Sequence, residues 1–223
     1  FYDYARRAWR AAFPGLPDRA QFNRLVRRHW PAIAAFALHV ATWLGVGQSP
    51  YEVLDTSGVR VRDSKRRGAG WLYGYADIGW CSRLGWYEGF HLLMAVTPQG
   101  AITGFGLAPA SAKDQPMTET FLALRHQPDA RLHSVGVPAR GPYVADTGFE
   151  GQATHARWLQ RYGVTVICPP QPRSRRAWPK PWRRWLSGLR QIVETVYEKL
   201  HHTFRLDRER PHDLSGMHAR LAA

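Results

Sequence analysis

The chain has 223 residues with 44% apolar and 13% aromatic content, enough for one substantial core plus a smaller appendage and too apolar for a disordered chain. Lys and Arg number 31 against 17 Asp and Glu, a formal charge of +14. A polyanion is the natural partner of such a field, and because most of the positive charge is Arg, nucleic acid is favoured over an acidic membrane surface. The bland alternative is a basic protein without such a partner. Cys81 and Cys168 form no Cys-x-x-Cys or Cys/His cluster, which argues against structural zinc and against a disulfide framework. The longest apolar stretch, residues 32–46, contains His39 and falls short of the roughly 20 residues that span a bilayer, and no signal peptide opens the chain. A cytoplasmic location is expected. The chain starts at Phe1 and stops after a helix-like run, so both ends are expected to continue in a longer protein.

Residues 1–48 read as a helical region. Phe22, Leu25, Val26 and Trp30 share a helix face, and Pro31 is expected to restart a more apolar helix up to about Leu44. Gly45, Gly47, Ser49 and Pro50 then mark a linker, so residues 49–223 are expected to form the main domain. Residues 53–55 and 59–61 are candidate strands, followed by an irregular basic insertion over 62–87. Trp71, Trp80 and Trp86 in that insertion suit either stacking on an unpaired base or packing in the core. Residues 91–97 and 101–107 flank Pro98-Gln99-Gly100 as a hairpin. A helix over 114–125, a strand over 143–145, a helix over 152–162 and a strand over 164–168 give the alternation of an α/β sheet.

Residues 169–184 combine five prolines with Arg173, Arg175, Arg176, Lys180, Arg183 and Arg184, which predicts an extended basic loop for the DNA backbone. A long helix follows, with Trp185, Leu189, Ile192, Val193, Val196, Leu200 and Phe204 as its core stripe.

Phosphoryl transfer on DNA needs charge stabilised on the attacking and leaving oxygens, which two divalent ions held by carboxylates can supply. Candidate ligands are therefore acids at strand ends and on an adjacent helix. Asp55 closes Val53-Leu54 and precedes Thr56-Ser57-Gly58; Asp146 closes Tyr143-Val144-Ala145 and precedes Thr147-Gly148-Phe149. Each also suits a turn or cap. Glu194 lies opposite the apolar stripe, between Arg190 and Glu198 at helical spacing, and alone reads as a solvated helix residue. Asp63 competes with Asp55 for the first position, Asp114 reads as a helix N-cap, and Asp77 as a turn residue.

Leu-Asp-Thr at 54–56, Gly-Phe-His-Leu-Leu-Met-Ala-Val-Thr-Pro-Gln-Gly at 89–100, Ala-Asp-Thr-Gly-Phe at 145–149, Val-Glu-Thr-Val-Tyr at 193–197 and the closing run at 210–222 occur in a telling order. Together they resemble the DDE-domain transposases of bacterial insertion sequences, over about three-quarters of the chain. The resemblance implies a ribonuclease-H-like α/β domain with a mixed sheet flanked by helices. It places the catalytic and metal-binding triad at Asp55, Asp146 and Glu194, with two Mg²⁺ ions, or Mn²⁺ in their place. It also implies double-stranded DNA partners, the transposon ends and the target, as well as a homodimer on DNA and a nucleoid-associated bacterial setting. The family often spaces Tyr, Arg, Glu and Lys around the third acid. Arg190, expected to orient Glu194 or touch phosphate, fits that pattern, whereas Ser187 and His201 stand at the Tyr and Lys positions. A metal-dependent nuclease and an inactive DNA-binding remnant are the competing expectations.

Overall fold

A computed structural model describes residues 2–62, 72, 74–126, 138–171, 174–175, 177–207 and 211–222. Its centre is β1 (Glu52–Arg62), paired antiparallel with β3 (Gly85–Val96) and parallel with β5 (Tyr143–Val144). The break expected after Asp55 is absent. Thr56, Ser57 and Gly58 stay in register with Leu93, Leu92 and His91, so the two expected strands are one. Gly58 is required there because a Cβ would lie 2.7 Å from Cζ of Tyr87.

The described sheet runs β2-β3-β1-β5-β6, with β4 also on β3. Here β2 is Asp77–Cys81, β4 is Ile102–Pro109 and β6, parallel to β5, is Val166–Ile167. The antiparallel β1-β3-β4 meander followed by parallel β5 and β6 is the mixed sheet of a ribonuclease-H-like domain, as expected. The hairpin between β3 and β4 also forms where expected, with Gly100 at φ 84°. The supposed irregular insertion instead contributes β2, in which Trp80 pairs directly with Trp86 across the ladder. Asp77 opens that strand, and its carboxylate accepts the Ser111 backbone N–H at 2.8 Å.

Strand alternation separates two cores. Leu54, Leu93 and Ala95 face α3 (Asp114–His126) and α4 (Gln152–Tyr162), where Phe121, Leu122 and Trp158 are fully or almost fully buried. Val53, Val59, Leu92 and Met94 face α5 (Lys180–Glu198) and α6 (Leu214–Ala222), meeting Val193, Val196, Tyr197 and Met217. The stripe of α5 is rotated from the expected one: Leu186 and Tyr197 are inside, while Trp185 is 55% and Phe204 63% exposed. A π-helical turn, Lys199–Thr203, adds a residue to the helical path and carries Phe204 off the buried face.

The N-terminal residues form α1 (Tyr2–Ala8) and α2 (Arg19–Trp43), and the Asp18 side chain caps α2 by accepting from the Gln21 N–H. Pro31 lies inside α2 and does not restart it. Proline removes one helical N–H there. Contacts just before it hold the helix on α6: Arg27 pairs with Asp213, and the Trp30 and His218 rings lie 4.6 Å apart. Leu25 is 46% exposed and so leaves the expected apolar face, which runs through Phe22, Val26, Trp30 and Ala34. Among the described residues, no helix is long and apolar enough to cross a membrane.

Candidate active site

Because side chains alternate along β1, Val53, Asp55 and Ser57 point toward α5, and Leu54 and Thr56 point toward α3. Asp55 is thus an interior strand residue and not the strand-end residue expected from sequence. Full pairing with β3 carries β1 beyond it. Asp146 does follow the end of a strand, β5. It caps the 3₁₀ turn Thr147–Phe149, accepting the Gly148 N–H at 2.7 Å. Parallel pairing of β1 with β5, Val53 opposite Val144, brings these two acids, distant in sequence, to the same level along the sheet.

Arg190 of α5 joins them. Its Nη2 lies 3.5 Å from Asp55 Oδ1 and 3.7 Å from Asp146 Oδ2, and the Arg190 and Asp55 side chains are only 19% and 16% exposed. Burial raises the Asp55 pKa to about 7; the Arg190 charge opposes that rise, while Asp146 and Glu194 add to it. Arg190 thus lies against the two aspartates, where the sequence suggested that it would orient Glu194 or touch phosphate. Glu194 itself is exposed one turn further along α5, near enough for its charge to be felt at Asp55. Among the described residues, no three Asp, Glu, His or Cys side chains are gathered closely enough for one ion.

Two further side chains shape the site. Asp114, expected to act as an N-cap, turns its Oδ1 to accept the Thr56 hydroxyl at 2.8 Å. Its other oxygen and Asp146 Oδ1 crowd the same face of Gly148, where a Cβ would lie 2.7 and 3.0 Å from them. Tyr197 donates toward the carbonyls of Asp55 and Leu92, each at 2.8 Å, and so pins α5 beneath the acid. Asp114 left no sequence signal beyond its capping pattern. Tyr197 did leave one, since it stands four residues after Val193 on the buried face.

The basic residues are distributed differently from expectation. Lys180, Arg183 and Arg184 lie in the first turns of α5 and not in an extended loop; Pro181 is tolerated because the first helical N–H groups have no intrahelical acceptor. All three are exposed, as is Arg175 in the preceding loop. Arg183, Arg190 and Glu194, spaced by seven and four residues, share one helix face. Arg173, Arg176, Asp63 and Trp71 lie outside the described residues. Trp80 and Trp86 are 58% and 71% exposed, so neither is a core residue. His201 is only 4% exposed and faces inward.

The sequence profile of the transposase DDE domain matches residues 53–223. That span covers the sheet, α3 to α6 and all three candidate acids, and the chain belongs to the DDE transposase family. Comparison with curated proteins gives no match.

The family generally uses divalent metal ions. The donor chemistry of Asp55 and Asp146 fits such an ion: both present hard carboxylate oxygens, and both already share one cationic partner in Arg190. Mg²⁺ is commonly held by one or two carboxylates, with water and substrate phosphate completing the shell.

Proposed function

We propose that the protein cleaves the DNA ends of a mobile element and joins them to target DNA, with divalent metal held by Asp55 and Asp146 and approached by Glu194. The observation that carries this reading is the pair of aspartates brought together by β1 and β5 and sharing the Arg190 guanidinium. Divalent ions at such oxygens supply activation of the attacking hydroxyl and stabilisation of the leaving oxygen, so no protein nucleophile is required. Mg²⁺ is the ion we favour, with Mn²⁺ able to replace it.

The remaining work falls to the chain's own residues. Tyr197 holds the backbone of Asp55 and the inner face of α5 together, and Thr56 with Asp114 fixes the opposite side of β1. Arg190 balances the aspartates and is within one helix face of Arg183, along which a phosphate backbone can run. Lys180, Arg183, Arg184 and Arg175 supply exposed positive charge for that backbone, and Arg173 and Arg176 belong to the same basic sequence. Two transposon ends processed together would make the working unit a dimer on double-stranded DNA.

The test uses labelled duplexes taken from the DNA flanking the coding sequence. Wild-type protein is expected to nick or cut them only with Mg²⁺ or Mn²⁺ and to yield joined products with a target plasmid. Asp146→Asn should retain DNA binding and lose both reactions. Equal cleavage by that variant would sink the assignment. Cleavage without joining would identify a nuclease, and binding without cleavage by the wild type an inactive remnant.

A further inference from the structure

At the position where the family pattern carries Lys, His201 is buried between two elements. Its Nε2 lies 3.1 Å from the Ser57 hydroxyl, and its Nδ1 lies 2.9 Å from Asp207 Oδ2, at ion-pair distance though off the ideal hydrogen-bond angle. Arg83, in the turn between β2 and β3, reaches the same Asp207 oxygen at 2.7 Å and donates to the Gly58 carbonyl at 2.5 Å. Three polar side chains and one imidazole thus form a continuous chain from the β2-β3 turn through the end of α5 to β1.

Helix and strand keep step along this contact. Val193 packs in the same core as Val53, Tyr197 bonds the Asp55 carbonyl, and His201 meets Ser57. Four α-helical residues rise about 6 Å, and two strand residues advance about 6.6 to 6.8 Å, so the step from Val193 to Tyr197 on α5 matches the step from Val53 to Asp55 on β1, and the π-helical turn that follows brings His201 to Ser57. The Tyr197 and His201 rings stack, 6.1 Å apart and 18° from parallel. His201, only 4% exposed, also has too little surface to meet a DNA phosphate.

We propose that His201, braced by Asp207 and Arg83 and bonded to Ser57, is a positioning residue that fixes the register of α5 on β1. Through that register it sets where Arg190 and Glu194 stand relative to Asp55. This role rests on the metal-dependent reading above and replaces a DNA contact at the family's Lys position with an internal one.

The experiment compares His201→Ala, Ser57→Ala and Ser57→Thr in the whole protein. Measurements are cleavage rate, duplex affinity across a salt series, and Mn²⁺ binding followed by its electron paramagnetic resonance signal. His201→Ala and Ser57→Ala are expected to weaken Mn²⁺ binding and slow cleavage by about 10- to 100-fold, the usual effect of removing a group that orients metal ligands. Duplex affinity and its salt slope should stay at wild-type values, and Ser57→Thr, which keeps the hydroxyl, should behave as wild type. A reduced salt slope in His201→Ala would make the imidazole a phosphate contact and overturn the proposal. So would wild-type Mn²⁺ binding in Ser57→Ala, which also decides the matter if His201→Ala fails to fold. Wild-type protein that binds Mn²⁺ but never cleaves would refute the activity reading alone, leaving the Mn²⁺ titration to judge the register. Wild-type protein that binds no Mn²⁺ would refute both.

Discussion

The acid that matters most to the site is supported by one that is not part of it. Glu52, three residues before Asp55, is wholly buried and receives Arg125 Nη1 and Nη2 at 3.2 and 2.9 Å, the Ala139 N–H at 3.2 Å and the Thr103 hydroxyl. This ties β1 to α3 and β4 on the face of the strand opposite Asp55. A buried charge pair adds little net stability, but removing one partner strands the other without compensation. Arg125→Ala is therefore expected to cost about 3 to 5 kcal/mol in urea unfolding, whereas the joint change Glu52→Gln and Arg125→Met should recover most of that loss. A loss below about 1 kcal/mol in the single variant, the range of a solvated surface pair, would mean that Glu52 finds its charge balance elsewhere. At this scale the sequence was only partly legible. Asp146 was recognisable from its strand and turn; Glu52 and Asp114 were not, since their roles depend on partners 73 and 58 residues away.

At the scale of elements, the alternating strands and helices from β3 onward could be read from hydrophobic period and turn residues, because local pattern and tertiary packing agree there. Where they disagreed, packing decided. Thr56-Ser57-Gly58 reads as a break, yet β3 pairs with it throughout. Pro31 reads as a helix start, yet α2 runs on through it and is held against α6 just before it. The prolines before residue 182 hid the true start of α5, so three basic residues assigned to a loop belong to a helix. That relocation has a measurable consequence, because charges on a rigid helix face meet successive phosphates at fixed spacing. Arg183→Ala and Arg184→Ala should each lower the salt dependence of duplex binding by about 0.9 in the slope of log K against log salt concentration. Unchanged slopes in both would remove the start of α5 from the DNA interface.

For the whole molecule, the +14 charge and the family match support DNA as the proposed substrate. The matched span begins at Val53, beyond α1 and α2, although α2 packs on α6 within that span. The family resemblance implied the ribonuclease-H-like fold, and it named Asp55 and Asp146, which Arg190 bridges in the structure. The exposed position of Glu194, opposite the apolar stripe of α5, was legible in the sequence; the bridging by Arg190 was not, because it depends on how α5 is rotated against β1. Glu194 is proposed to act with the two aspartates, and Glu198, exposed one turn later on the same helix, is its natural control. The decisive measurement is the Mg²⁺-dependent cleavage rate of Glu194→Gln beside that of Glu198→Gln, on the same labelled duplex and at equal DNA occupancy. Glu194→Gln is predicted to fall by on the order of 10²- to 10³-fold, the typical effect of removing one electrostatic stabiliser, while Glu198→Gln stays close to wild type; equal rates in the two variants would exclude Glu194 from the site.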